Sequence, residues 1–183
     1  PTFTGTVSAA AATLSGTTTV NNAFLVSGST GSTPASGAGT RMEFIARKAA
    51  FRAAVVTGTE WDASNVGSYS TALGYNTQAT SNGSFAMGYN FGGGSTITAS
   101  NWGSFAGGHI QGSATNEITS SNLGSFAFGY AHGNTSSKGK IIASGLGSLA
   151  LGMADGGNTL QSSGFGSIAL GYATGGNLMA TGT

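Results

Sequence analysis

The chain has 183 residues, of which 33 are Gly and none Cys, with 6% charged and 39% hydrophobic side chains and a formal net charge of +1. An average soluble domain carries about 25% charged residues, so this balance argues against nucleic acid or an anionic membrane surface as partner, while the missing Cys excludes disulfides and thiolate metal sites. Low charge with high Gly is compatible with disorder, but the apolar residues recur in register, which points to an ordered fold.

Residues 1–40 form a Thr/Ser/Ala-rich stretch with short apolar pieces around Phe3, Val7, Leu14, Val20 and Phe24. Two readings compete: a flexible linker, or a stalk of short β segments that order only when chains intertwine. Residues 41–66 differ sharply, because seven of the eleven charged residues sit there: Arg41, Glu43, Arg47, Lys48, Arg52, Glu60 and Asp62. Their apolar spacing favours neither helix nor strand. The segment reads as a charged junction element whose charges serve salt bridges between chains.

From residue 67 to 183 the chain repeats. Ser-φ-Ala-φ-Gly-φ, with φ mostly apolar or aromatic, occurs as Ser70-Thr-Ala-Leu-Gly-Tyr75 and Ser84-Phe-Ala-Met-Gly-Tyr89, and returns from Ser104, Ser125, Ser148 and Ser167. The Ser anchors lie 14, 20, 21, 23 and 19 residues apart. Between them stand second strand motifs at Ile97, Ile118, Ile141, Leu160 and Leu178, most leading to a large residue (Trp102, Leu123, Leu146 or Phe165) and then Gly-Ser. A period of this size means a solenoid whose turns stack on one another. Gly145-Leu-Gly-Ser-Leu-Ala150 fits a loose dinucleotide pattern, but no long helix follows it, so it belongs to the repeat.

Side chains alternate across a strand, so Ser84 and Ala86 face one way and Phe85 and Met87 the other. The first face is small in every copy and suits two closely spaced sheets. The second carries the column Phe85, Phe105, Phe126, Leu149 and Ile168, expected to pack against symmetry-related chains, because a lone thin coil cannot shelter both faces. The column Tyr75, Tyr89, His109, Tyr130, Met153 and Tyr172 reads as a ladder along that interface rather than a sugar platform. Trp102 and Phe165 are expected to be packed.

These repeats resemble the head repeats of trimeric autotransporter adhesins of the YadA type, and the 14-residue interval from Ser70 to Ser84 equals that family's short repeat. The segment from Lys48 to Gly67 is similar to the module preceding such repeats in phage-tail-like fibres and in the chimeric trimeric fibres of predatory bacteria. The resemblance implies an all-β fold, a left-handed parallel β-roll in an elongated homotrimer, an extracellular place at a cell surface or fibre tip, and a role in attachment. A chain that starts at Pro1 and stops within the pattern at Thr183 reads as part of a longer fibre, whose C-terminal chaperone domain was cleaved or left out.

Longer intervals place extra residues at 90–96, 110–117, 131–140, 154–159 and 173–177. Insertions at equivalent points of a stacked coil project from one edge, and loops on rigid scaffolds concentrate binding residues. Asn90, Asn116, His132, Asn134, Lys138, Lys140, Asp155 and Asn158 are therefore the candidate ligand contacts, with a cell-surface glycan or envelope component as partner. With two His and five acids, no nucleophile–base grouping appears by spacing, and Glu117 and Asp155 are too far apart for glycoside cleavage. No catalytic residue, metal or cofactor is expected. A ligand-free spacer and a fibre-borne depolymerase are the alternatives, and ice binding is disfavoured because the strands present Ser and Ala where a Thr array is needed. No apolar run reaches the roughly 20 residues that span a bilayer, so membrane insertion is not expected.

Overall fold

In the structure, a computed structural model, residues 26, 28, 29, 35–113 and 115–182 are described. The expected stalk at 1–40 therefore lies almost wholly outside the described residues. Chain order gives β1 (Gly39–Ile45), β2 (Ala50–Val56), β3 (Thr71–Tyr75), β4 (Thr77–Ala79), β5 (Phe85–Asn90), β6 (Thr96–Ala99), β7 (Phe105–Gly112), β8 (Glu117–Ser120), β9 (Phe126–Gly133), β10 (Lys140–Ala143), β11 (Leu149–Asp155), β12 (Thr159–Ser162), β13 (Ile168–Ala173) and β14 (Leu178–Ala180).

Among the described residues these form an eight-stranded sheet, ordered β1-β2-β3-β5-β7-β9-β11-β13, and a six-stranded sheet, ordered β14-β12-β10-β8-β6-β4. Strands alternate between the two sheets from β3 onward and pair in parallel with the equivalent strand one turn away. The result is a β-solenoid of about six turns. Register follows the motif: Phe85 pairs with Phe105, Phe105 with Phe126, Phe126 with Leu149, and Leu149 with Ile168.

The interior is filled by large residues from one sheet against small ones from the other. Ile97, Ile118, Ile141 and Leu160 are fully buried, and facing them are Ala72, Ala86, Ala106, Ala127 and Ala150. The next inward column is Gly: a Cβ on Gly74, Gly88, Gly108, Gly129 or Gly152 would meet the carbonyl oxygen of the Gly one turn on at 1.8–2.0 Å. No other residue fits where successive turns approach this closely.

In most repeats the Ser is a turn clasp. Ser84, Ser104 and Ser125 each donate from Oγ to the carbonyl three residues back, at 2.6 Å in all three cases, and accept from the backbone N–H of that same residue. Both polar groups of a buried tight turn are thereby satisfied by one hydroxyl. In two of these turns an Asn also ties one turn to the next, since Asn101 and Asn122 donate from Nδ2 to the carbonyls of Ser121 and Ser144.

The charged segment 41–66 is an antiparallel hairpin, β1 with β2, followed by a loop. It joins the solenoid directly, because β2 pairs in parallel with β3. Arg52 is fully buried and donates to the carbonyls of Phe51, Ser70 and Ala79 and to Ser70 Oγ. Burial pushes its guanidinium down to about 10, with the Glu43 carboxylate opposing the shift. Trp61, also fully buried, donates from Nε1 to Thr77 O (2.9 Å) under the Arg41 guanidinium. The expected use of these charges between chains is thus replaced, for Arg52, by hydrogen bonds that close the first turn of its own coil.

Candidate binding surface

Alternation turns three columns of the eight-stranded sheet outward. The first is Phe85, Phe105, Phe126, Leu149 and Ile168; the second is Leu73, Met87, Gly107, Phe128, Leu151 and Leu170; the third is Tyr75, Tyr89, His109, Tyr130, Met153 and Tyr172. Rings stack up the columns: Phe105 lies 4.4 Å from Phe126 and 5.2 Å from Phe85, nearly parallel to both, while Tyr89–His109 and His109–Tyr130 stand at 5.5 and 5.3 Å. Six strands about 4.8 Å apart, each contributing about five residues at ~3.3 Å, make this face on the order of 500 Å², near the upper end of what a monomer leaves uncovered. The opposite outer face, on the six-stranded sheet, is mainly polar, with Gln78, Thr98, Thr119 and Gln161 half-buried and Lys140 paired to Glu117 at 3.3 Å.

The Gly-Ser turns add an exposed ridge. Trp102 is 61% and Phe165 79% exposed, and Leu123 and Leu146 stand between them. The expectation that Trp102 and Phe165 are packed is therefore corrected for the single chain. Each occupies the tip of a tight turn, where the following Gly takes a left-handed conformation and the side chain projects away from the coil.

The inserted segments are shorter as loops than the sequence implied. β7, β9 and β11 run on through Gly112, Gly133 and Asp155, so much of each insertion lengthens the sheet. Two candidate contacts turn inward. Asn90 is 2% exposed and donates from Nδ2 to the carbonyls of Asn76 and Ser95; Asn116 is 1% exposed, donates to Gln111 O and accepts from Gly139 N–H. Both fasten loops rather than offer exposed groups. Asn134 is exposed, but its Oδ1 accepts from the N–H groups of Ser136 and Ser137 and holds the turn tip. Asn158 donates to Asp155 O, Lys140 is bound to Glu117, and Lys138 is exposed.

His132 and Asp155, 23 residues apart in sequence, meet as register partners on β9 and β11. His132 Nδ1–H donates to Asp155 Oδ1 at 2.7 Å, and Tyr172 OH reaches Asp155 Oδ2 at 3.4 Å. The hydrogen bond from His132 holds the Asp155 carboxyl below its ordinary range. Spacing alone does not bring the pair together; the parallel register does. Among the described residues no group of three or more His, Asp or Glu side chains is placed to hold a metal ion, and no helix is long and apolar enough to cross a membrane.

The sequence missed one recess, lined by Thr57, Tyr75, Asn76, Asn90, Phe91, Gly92 and Gly93, with a volume of about 310 Å³. It sits where the hairpin, the β3–β4 turn and the β5–β6 loop converge. Of its lining, only Asn90 stood among the candidate contacts. The signal available was the aromatic Phe91 beside the Gly92-Gly93-Gly94 run, in the first of the inserted segments.

Among family models, that of the YadA head domain repeat matches residues 66–90, in two copies. No curated protein and no solved structure matched the chain. The strands of the matched segment continue in unbroken register through β13, with the same Ala and Gly columns. Residues 66–90 are thus similar to the YadA head domain repeat, and the solenoid carries their strand register onward.

Proposed function

We propose that this chain is the head of a non-catalytic homotrimeric fibre, displayed outside the cell, that attaches its bearer to a target surface by recognising glycan or envelope components. One observation carries the reading. The eight-stranded sheet turns three apolar and aromatic columns outward over its turns, whereas the other sheet's outer face is mainly polar. Only one side of the coil therefore calls for a partner. A second copy of the chain supplies a surface of matching length and rise, and cyclic symmetry closes the assembly without leaving an apolar face in water. The likeness to the YadA head domain repeat supports three copies and surface display.

Attachment then falls to what the assembly leaves outside: the described residues between each strand of the eight-stranded sheet and the next strand of the six-stranded sheet, at 91–95, 113, 115–116, 134–139, 156–158 and 174–177. Their Asn, Ser, Thr and Gly content gives hydrogen-bonding groups with little charge, which suits neutral hydroxyl-rich ligands more than ionic ones. The acid-poor composition supports binding without cleavage. Sedimentation of the whole chain, followed by binding of labelled protein to whole cells and to a glycan array, tests the proposal. A trimer that binds supports it. A folded monomer at micromolar concentration removes the assembly, and a trimer that binds no surface leaves the spacer reading.

A further inference from the structure

We infer that the recess between the hairpin and the first inserted turn is a binding subsite for one neutral saccharide unit, with Phe91 as its stacking platform. The inference rests on reading the chain as an attachment module, and it gives that module a ligand class and a place. The volume of about 310 Å³ stands at the small end of ligand sites, about 300 Å³ and upward, which fits a single sugar ring better than a peptide.

Its walls divide by chemistry. On one side stand Tyr75 and Phe91, with Tyr89, outside the lining, in ring contact with both: Tyr89 and Phe91 are stacked at 5.9 Å, and Tyr75 lies 5.3 Å from Tyr89 and 6.4 Å from Phe91. Phe91 is 63% exposed, so a ring face stays open where a structural aromatic would be covered. On the other side stand the Asn76 amide and the Thr57 hydroxyl, linked by Asn76 Nδ2–H to Thr57 Oγ1 (2.9 Å) and Thr57 N–H to Asn76 Oδ1 (2.8 Å). With Thr57 Oγ1–H also donating to Asn76 Oδ1 at 3.2 Å, these bonds fix the direction of both polar groups and leave one Asn76 N–H as donor and a Thr57 Oγ1 lone pair as acceptor. The apolar C–H face of a pyranose against a ring, with its hydroxyls meeting an amide and an alcohol, satisfies both walls at once.

Two further observations narrow the ligand. No charged side chain lines the recess, so a phosphate, a sialic acid or an acidic peptide gains nothing there that offsets desolvation. Asn90, also in the lining, is nearly fully buried and spends both N–H groups on the carbonyls of Asn76 and Ser95, which fixes this wall of the recess. Gly93 has nothing within 4 Å of where a Cβ would stand, and a Cβ on Gly92 would strike Ser95 Oγ at 2.1 Å. The rim is thereby kept low on one side and tight against the loop on the other.

The test titrates the full chain with methyl glucoside, methyl galactoside, N-acetylglucosamine and N-acetylneuraminic acid, following Phe and Tyr ring signals by NMR. At least one neutral sugar is expected to bind at about millimolar Kd with shifts at Phe91 and Tyr75, and F91A to weaken it about tenfold. Thr119→Ala, on the polar outer face, leaves it unchanged. Binding of N-acetylneuraminic acid alone, affinity unaltered in F91A, or no sugar bound overturns the inference. If F91A instead lowers the assembled mass with no sugar bound, a second copy fills the recess and the subsite is refuted. Whole-cell binding retained by a chain that takes none of these sugars sinks the subsite while sparing the attachment reading; loss of both sinks that reading as well.

Discussion

Two glycines of adjoining repeats, Gly129 and Gly147, separate the physics of this coil in a single experiment. Gly129 lies inside, with φ +150°, and an added Cβ would sit 1.8 Å from Gly152 O and 2.9 Å from Ile141 Cδ1. Gly147 occupies a turn tip with φ +60° and has nothing within 4 Å. Both positions strain an L-residue, by about 1 kcal/mol in the left-handed region and up to about 3 in rarer ones. Only Gly129→Ala must also recover about 1.6 Å, from 1.8 Å to an ordinary 3.4 Å contact. The neighbouring strands would have to part by that much from their ~4.8 Å spacing, losing local hydrogen bonds at about 1 kcal/mol each. G129A is therefore expected to cost about 4 kcal/mol or more, and G147A about 1 kcal/mol. Urea unfolding of both variants, followed by far-ultraviolet circular dichroism, reads the difference. Stability in a solenoid is a sum over neighbouring turns, so G129A is also expected to unfold in two steps, its flanking turns first. Equal midpoints for the two variants would refute close backbone approach as the reason for the Gly column.

Arg52→Met removes a buried cation that serves three carbonyls and one hydroxyl, and is expected to destabilise the chain by about 3 kcal/mol in the same unfolding assay. Phe126→Asp removes about 2 kcal/mol of burial per chain, about 6 per trimer and so about four decades in the assembly constant; sedimentation should show single chains whose circular dichroism is unchanged. Asp155 titrates below its ordinary 3.8 because His132 donates to it, so its contribution to stability is complete above the unfolded value and lost as pH falls through the lower folded one. In H132A, carbon-13 NMR should find that carboxyl titrating closer to its ordinary value, and an unchanged titration would refute the assigned cause.

Strand positions and face assignments were legible in the sequence because a six-fold repeat states its own register. Once Ser84, Ser104 and Ser125 are aligned, Ala86 must share a column with Ala106 and Ala127, and Phe85 with Phe105 and Phe126. What was hidden depends on geometry that alternation does not encode. Asn90 and Asn116 looked like loop contacts because both lie in insertions, but Asn90 ends β5, Asn116 directly precedes β8, and both side chains turn inward to fasten neighbouring backbone. The pairing of His132 with Asp155 needs the β9–β11 register. Segment 41–66 resisted reading for a different reason: the hairpin ends in a 3-10 turn with Ala49 left-handed at φ 47°, a conformation that Ala signals poorly.

The thinness of the coil connects its fold to its proposed use. The interior admits an Ile from one sheet only because the other offers Ala and a Gly whose Cβ would collide with the next turn. A Phe of the Phe85 column placed inside would overfill that gap, so the large residues of the eight-stranded sheet have nowhere to go but out. In a globular domain an apolar outer face is a liability to be trimmed; here each turn adds to it, since the register that stacks Ala on Ala also stacks Phe on Phe. Length and stickiness therefore grow together, and a longer coil of this kind demands partners more strongly than a shorter one. Deleting one whole repeat, from Ser125 to Gly147, would keep the register of Phe105 on Leu149 and shorten the apolar face by one rung. The assembly should weaken by a rung's worth of burial while each chain still folds, an outcome that an assembly held only by the N-terminal segment would not produce.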